Sequence, residues 1–576
     1  MQTDAINNGN KGRLLAALFS GGPERALTVY LSVSVLLYGS YPYWCALFGG
    51  AFLAFFLWRT IKKERKLVFP LSLPSIAICV AVIFYLLSVF WAIDKGMAFL
   101  GFLKYLPVLL LIPLAATIGS DREQLLRALA RAGGVSVAVC LALSVVPGIR
   151  SAFFPEGRFS GQFLYANAYG LFLLACAVIL CMKKPPLKLD YVLCALSATG
   201  VSLTGSRSLL ILAAVVFVLL LFTNWRGALA LALGVLAAVL ASFLFSIAGT
   251  LERSADISFA SGEWLTRLAY YQDGLRLIFE KPFGLGHMGW WYMQPAIQTS
   301  VYDVRLIHNW LLQSALDVGI LPALLLVAAA VTLFFSKQNG FREKTLIALI
   351  LGHGLIDFDL AYLPVVFILV LLLPSGRPVT LRLPGKRNLL PLAICAVAAA
   401  SSLWIGAASF ASYMGMEKAA VALYPGFTEA MEKSLIAEPD PEQALLWSDR
   451  ILARNAYVFD AYDVKAKVYA ENGAWADAAA MKQASLMISR LHGSNYDEQL
   501  MYIHFAIQQA ASVGDVDTCL YLTDLALGVP GALDDVSNSL SPLAYQLKHK
   551  PTLTLSDDSL RFLEYLQEFR AKLLTQ

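Results

Sequence analysis

Charge is scarce in this chain: 15% of its 576 residues are Asp, Glu, Lys or Arg, against 58% that are hydrophobic. Soluble domains run nearer a quarter charged and half apolar, so a soluble globular domain is excluded and a polytopic membrane protein implied. Cysteine chemistry is missing too. Of eight cysteines, Cys45, Cys79, Cys140, Cys176, Cys181, Cys194 and Cys395 lie in apolar stretches or at their ends, and only Cys519 in a polar one. No CxxC pair and no Cys/His cluster has metal-ligand spacing, which argues against a disulfide framework and a zinc site. The first 25 residues lack the apolar core and small-residue cleavage site of a signal peptide, so the first span is expected to remain as an anchor.

Long apolar runs dominate what is present. A span needs about 20 predominantly apolar residues, and the sequence predicts spans near 26–40, 43–58, 71–92, 97–119, 125–146, 164–182, 189–204, 207–223, 227–248, 307–336, 345–358, 360–374 and 389–411. The pairs 26–58 and 345–374 each also admit one kinked hairpin, so the count is 12–13. Lys and Arg stay on the cytoplasmic side. The basic loops at Arg59–Lys66, at Lys183, Lys184 and Lys188, at Lys337, Arg342 and Lys344, and at Arg377, Arg382, Lys386 and Arg387 all fall on that side if the N-terminus is inside. The expected fold is therefore all-α: a transmembrane helical bundle with one long extracytoplasmic loop and a C-terminal helical-repeat domain. Its parts are a cytoplasmic segment 1–25, a membrane domain 26–412 with the loop 249–306, and an extracytoplasmic tail 413–576. In the tail, Ala461–Tyr469 followed by Gly473, Trp475 and Ala478 predicts helix, turn and helix, and Gly514, Cys519, Ala526 and Pro530 repeat the offsets. That pattern resembles tetratricopeptide (TPR) repeats, which offer a surface to a protein partner.

The polar stretch from Gly249 to Gly319 carries Arg253, Arg267, Arg276, His287, Arg305 and His308 among Trp and Tyr residues. Gly284-Leu-Gly286-His-Met-Gly289 fits GxGxxG, yet it follows Lys281-Pro282 rather than a strand. A nucleotide site is not indicated; a tight turn whose amides approach a phosphate and a plain connection both remain open. Arg267, Tyr271 and Gly274 fall on one helical face, a setting for an anionic sugar-bearing ligand or for a structural arginine. Arg207, in Thr204-Gly-Ser-Arg-Ser208, sits in a short turn between two spans, where an arginine is either functional or snorkelling. Arg158-Phe-Ser-Gly161 with Asn167 is a third polar group on the same side. His308-Asn309 opens the next span, and nearby cations favour the neutral imidazole that acts as a base. His353 and Asp357 are spaced i, i+4 inside an apolar span, as a functional or a structural pair.

Taken together, Arg-x-Ser-Gly with a following Asn, Thr-Gly-Ser-Arg-Ser, an Arg-bearing helix running into Pro-x-Gly-x-Gly, and His-Asn with Gly319 ten residues on resemble the O-antigen ligase and polymerase superfamily, over roughly residues 20–410. The segment from His353 to Asp359 resembles one in members with TPR tails. Tyr165-Ala-Asn167 in place of Pro-Asn, Asp317 in place of Glu, and Pro322 where a second Gly is frequent depart from the pattern and leave the acceptor open. The resemblance implies a glycosyltransferase of the bacterial cytoplasmic membrane. It would move a glycan from a polyprenyl (undecaprenyl) diphosphate carrier to a glycan, lipid or protein acceptor on the outer face, in polysaccharide biosynthesis. Arg207, Arg267 and His308 are the expected catalytic residues. Arg158, Asn167, Tyr271, Asn309, His353 and Asp357 are the expected substrate contacts, with Tyr270, Trp290 and Trp291 as further rings for sugar. The long loop holds no acidic DxD pair, so arginines in place of a metal, no cofactor and an inverting displacement are expected. A protein O-oligosaccharyltransferase and a lipid-linked glycan flippase are the alternatives; no nucleic acid is implied. The flippase would require repeated halves with interrupted helices, and none is seen in the sequence.

Overall fold

The computed structural model describes residues 22–182, 186–244 and 262–574. The segment 1–21, Lys183, Lys184 and the loop start with Arg253 lie outside the described residues. Contacts divide the chain into two compact units. The first takes residues 1–87, 99–258 and 308–410; the second takes 88–98, 259–307 and 411–576.

In the first unit every expected span has a helical counterpart. These are Gly22–Leu36, Tyr43–Glu64, Leu73–Leu87, Lys95–Ile118, Arg122–Leu143, Ala166–Cys181, Lys188–Leu203, Arg207–Thr223, Trp225–Leu244, Trp310–Val318 with Ile320–Phe335, Phe341–His353, Leu363–Leu371 and Leu389–Tyr413. Among the described residues, six helices are long and apolar enough to cross a membrane, and Ala166–Cys181, Arg207–Thr223 and Ile320–Phe335 are shorter apolar helices. The protein is an all-α, multi-pass membrane protein. Ala166–Cys181 is its central helix: all of its residues except Asn167 are buried, as an all-round apolar helix must be. Two expected spans differ in detail. The one at 307–336 breaks at Gly319, and the one at 345–358 stops at His353, with one 3₁₀ turn at Asp359–Ala361 before α-helix resumes at Leu363. The second break follows from chemistry, since Asp357 and Asp359 cannot face lipid and need partners inside protein.

One end of this unit gathers the basic loops. Strand β1 (Lys66–Leu71) pairs antiparallel with β2 (Arg377–Arg382), Lys66 opposite Arg382, a small ladder that the sequence did not announce. The Val68 amide donates to Thr117 at 2.9 Å. Glu123 pairs with Arg127 and Arg342, both at 2.9 Å. Buried Asp190 accepts from Arg131 at 2.9 Å. The loops that charge parity assigned to one side thus share one end.

The second unit joins the long loop to the tail. Buried Asp273, on helix Gly262–Glu280, accepts from the Thr299 amide (2.8 Å), the Thr299 hydroxyl (2.9 Å) and Tyr302 (2.8 Å). Arg305 forks onto Glu429 with two 2.8 Å bonds, geometry that makes a strong ion pair. Thr428 donates to buried Asp94 at 2.5 Å and Tyr424 to the Gly96 carbonyl at 2.8 Å. The expected helix, turn and helix of the tail is Phe459–Glu471, a turn at Gly473, and Trp475–Leu486. Gly493–Ser512 and Val516–Leu527 follow, each packed on the next around Ala478, Ala479, Ile503, Ala506, Cys519 and Ala526.

Carboxylates crowd where loop meets tail. Burial and then the neighbouring Glu429 push Glu432 up to about 8, against the pull of the Tyr292 hydroxyl. Burial opposes ionisation of Glu429 as well, but Arg305 outweighs it and holds that carboxyl below its usual range. A carboxyl raised in the folded state keeps a proton that the unfolded chain releases, so this site loses stability as pH rises between about 5 and 8. Glu432→Gln should therefore flatten the fall in unfolding midpoint of the full chain across that window and leave it unchanged near about pH 4; scanning calorimetry in detergent reads this directly.

Candidate functional site

The other end of the first unit is built around the turn that follows helix Phe341–His353. Its side chains fan out to three separate parts of the chain. Asp357, 1% exposed, accepts from Asn167 Nδ2 at 2.7 Å and from the Tyr165 hydroxyl at 2.9 and 3.1 Å. Asn167 in turn accepts from an Arg158 guanidinium nitrogen at 2.7 Å, and Arg158 Nε reaches the Thr204 carbonyl at 2.9 Å. Phe358 stacks on Tyr165 with centroids 4.5 Å apart and meets the His308 ring edge-on at 5.0 Å. His353 Nδ1 lies 2.7 Å from Asp359, and its Nε2 lies 3.1 Å from Ser208 Oγ.

The His308 segment is fastened to the same turn through its backbone. The Trp310 amide donates to the Gly354 carbonyl at 2.8 Å, and the Trp310 indole to Leu351 at 3.1 Å. Asn309 caps helix Trp310–Val318 by accepting from the Leu311 and Leu312 amides, while its own amide donates to Leu355 at 2.9 Å. Capping of this kind is what Asn does at a helix start, and it accounts for Asn309 without a substrate. Arg207 is the first residue of helix Arg207–Thr223, after a turn in which Gly205 has φ +62°. Gly161 of the Arg158 motif has φ +48°, and a Cβ there would lie 2.1 Å from the Tyr169 ring, which explains its place in the motif.

The site thus has two layers. Arg158, Tyr165, Asn167, Arg207, Ser208, His308 and Phe358 are half-buried, whereas His353, Asp357 and Asp359 are buried behind them. The pairing of His353 with Asp357 expected from their spacing is corrected: the helix ends at His353, so i, i+4 no longer places them on one face, and Asp359 is the partner instead. Asp357 and Asp359 have DxD spacing, but their carboxylates diverge, one to Tyr165 and Asn167 and the other to His353.

Arg267 and Tyr271 lie on helix Gly262–Glu280 of the second unit, both half-buried, with Tyr270 against Tyr271 at 5.1 Å. Two expected sugar-stacking rings are corrected. Tyr270 and Trp290 are 1% and 0% exposed, and Trp290 stacks on Tyr302. The GxGxxG turn is packed on the chain itself: a Cβ at Gly286 would lie 2.4 Å from the Ala92 methyl, and Leu285 accepts from the Ile93 amide.

Sequence reasoning missed Tyr165, Phe358 and Asp359. It also missed Lys104, a 3%-exposed lysine over Tyr41 at 4.4 Å. Tyr41 stacks on Tyr362, which leads to Phe358. A cation inside an apolar span was the available signal.

Removing the Tyr165 hydroxyl should expose how much the Asp357 hub depends on its donors. Tyr165→Phe should cost about 1.5–3 kcal/mol, the worth of a hydrogen bond to a charged group, in detergent unfolding titrations, and Tyr165→Ala more because the stack on Phe358 goes as well.

Residues 192–328 match the family model described as O-antigen ligase. No curated protein matches the chain, and no solved structure does. The matched segment takes in Arg207, Arg267 and His308, while Arg158, Asn167 and the 353–359 turn lie outside it. Over residues 192–328 the chain is thus similar to the O-antigen ligase family, and its multi-pass helical fold agrees with that similarity.

Proposed function

We propose that this protein transfers a glycan from a polyprenyl diphosphate carrier to an acceptor hydroxyl at the extracytoplasmic face of the bacterial cytoplasmic membrane, as a ligase or polymerase of surface polysaccharide. The observation that carries the reading is the shared turn: Arg158, Ser208 beside Arg207, and His308 all contact, directly or through one residue, the segment 351–359. Sequence-distant cations and an imidazole at one end of a bundle suit an anionic lipid-linked donor.

In the reaction, the acceptor O–H gives its proton to His308 Nε2 or Nδ1 while its oxygen bonds to the anomeric carbon. The bond from that carbon to the diphosphate oxygen breaks on the opposite side, the electron pair leaving with the polyprenyl diphosphate, so the configuration inverts. Arg207 and Arg267 grip the diphosphate, since guanidinium forks match phosphate oxygens, and offset the charge that grows on it. Preorganised donors of this sort are worth about 2.7–4 kcal/mol each. Arg158 and Asn167 orient the donor. The divergent carboxylates of Asp357 and Asp359 support chemistry in which arginines take the place of a divalent ion. The tail, with its TPR-like helix pairs, offers a surface for a protein partner.

Arg207→Ala, Arg267→Ala and His308→Ala should each lower transfer by about 10²–10³-fold in proteoliposomes supplied with polyprenyl-diphosphate oligosaccharide, with unfolding midpoints unchanged. Wild-type rates in all three would remove the mechanism. Product analysis of the same reaction separates the alternatives: lengthened lipid-linked chains mean a polymerase, glycan on lipid or protein a ligase or oligosaccharyltransferase, and movement without new bonds a flippase. EDTA should leave the rate unaltered; loss restored by Mg²⁺ or Mn²⁺ would contradict the role given to the arginines.

A further inference from the structure

The geometry points to His353 and Asp359 as positioning residues that act on Arg207 through Ser208, not as groups that touch substrate. This rests on the glycosyl-transfer reading. His353 is 2% exposed and Asp359 0%, so neither meets a bound glycan. Their three-member linkage is directional. The Asp359 carboxylate only accepts, so His353 Nδ1, 2.7 Å away, carries the proton, and in the neutral ring Nε2 then accepts from the Ser208 hydroxyl at 3.1 Å. A carboxylate that fixes the imidazole tautomer in this manner also fixes the ring's direction.

Ser208 is the residue after Arg207, in the first turn of helix Arg207–Thr223. Within the same turn Ser206 and Ser208 sit 3.3 Å apart, and Thr204 bonds to Val201. On the far side of Arg207, the Thr204 carbonyl is held by Arg158. The Arg207 backbone is therefore pinned before and after, once by Arg158 and once by the buried His353–Asp359 pair. Cutting the second pin loosens the backbone of the helix start from which the Arg207 side chain projects. A shift of about 1 Å at a positioned group is enough to cost about a hundredfold in rate.

The test reads kcat/KM for the polyprenyl-diphosphate donor in proteoliposomes of the full chain. Ser208→Ala, His353→Ala and Asp359→Ala should each lower it by roughly ten- to a hundredfold, the range for partners that orient a working group, and Ser208→Thr, which keeps the hydroxyl, should restore most of the rate. The double variant Ser208→Ala/His353→Ala should be no slower than the slower single variant, because one linkage has been cut twice. In an Arg207→Ala background, His353→Ala should cost nothing further. Losses that multiply in either double variant, or Ser208→Ala at the wild-type value, overturn the proposal. Should the wild-type chain transfer no glycan, the glycosyl-transfer reading falls instead. A double-mutant cycle on thermal unfolding then still reports on the linkage: additive midpoints for Ser208 and His353 would overturn it, and a coupled pair would support it.

Discussion

Two carboxylates and an imidazole buried in an apolar bundle set the terms for this structure. Asp357, Asp359 and His353 are each at most 2% exposed, and an ionisable group in such a place is tolerated only when paired and hydrogen-bonded. The partners come from different stretches of the chain. Asn167 and Tyr165 serve Asp357, and His353 with Ser208 serves Asp359. Satisfying the acids therefore draws the starts of two helices, Ala166–Cys181 and Arg207–Thr223, to one turn, and the backbone carbonyls of that turn fasten the segment after His308. The acids lie behind, and the cations and the imidazole lie in front of them. What looks like a set of loose motifs along the sequence is in space the outer layer of one polar core.

The second unit applies the same logic outside the membrane segments. Loop residues that the sequence offered as chemistry turn out in part to be fastenings: Arg305 is committed to Glu429, Trp290 to Tyr302, and the Gly286 turn to Ala92. Arg267 and Tyr271 remain half-buried on helix Gly262–Glu280, whose other face is buried. The loop and the tail fold as one body, so the tail's helix pairs are part of the same unit that presents the loop.

Much of this was legible from sequence because apolar length and Lys/Arg placement are strong one-dimensional signals. Each expected span has its helix, and the basic loops meet at one end, although the ladder that pairs Lys66 with Arg382 there carried no sequence signal. Arg158, Asn167, Arg207 and His308 stood out in the sequence as candidates, since a charge or amide at the rim of an apolar run is conspicuous. What spacing could not give was pairing. The i, i+4 rule joined His353 to Asp357 because it assumed an unbroken helix, and the break at Gly354 sends the imidazole to Asp359 instead. Tyr165 and Phe358 were overlooked because an aromatic beside an apolar span carries no signal until its neighbour across the fold is known. Trp290 shows the converse, a ring that reads as a sugar platform and is core.

The claim on which the account stands is that the Arg158, Arg207 and His308 motifs share one outward-facing end of the membrane domain, opposite the β1–β2 ladder. Single cysteines at Gln162, Arg207 and Asn309, and at Lys66 and Arg382, treated in intact spheroplasts with a membrane-impermeant maleimide, test it most directly. The account predicts labelling at the first three positions without permeabilisation and at the last two only after it. Labelling at position 207 or 309 only after permeabilisation, or at position 66 before it, would contradict it.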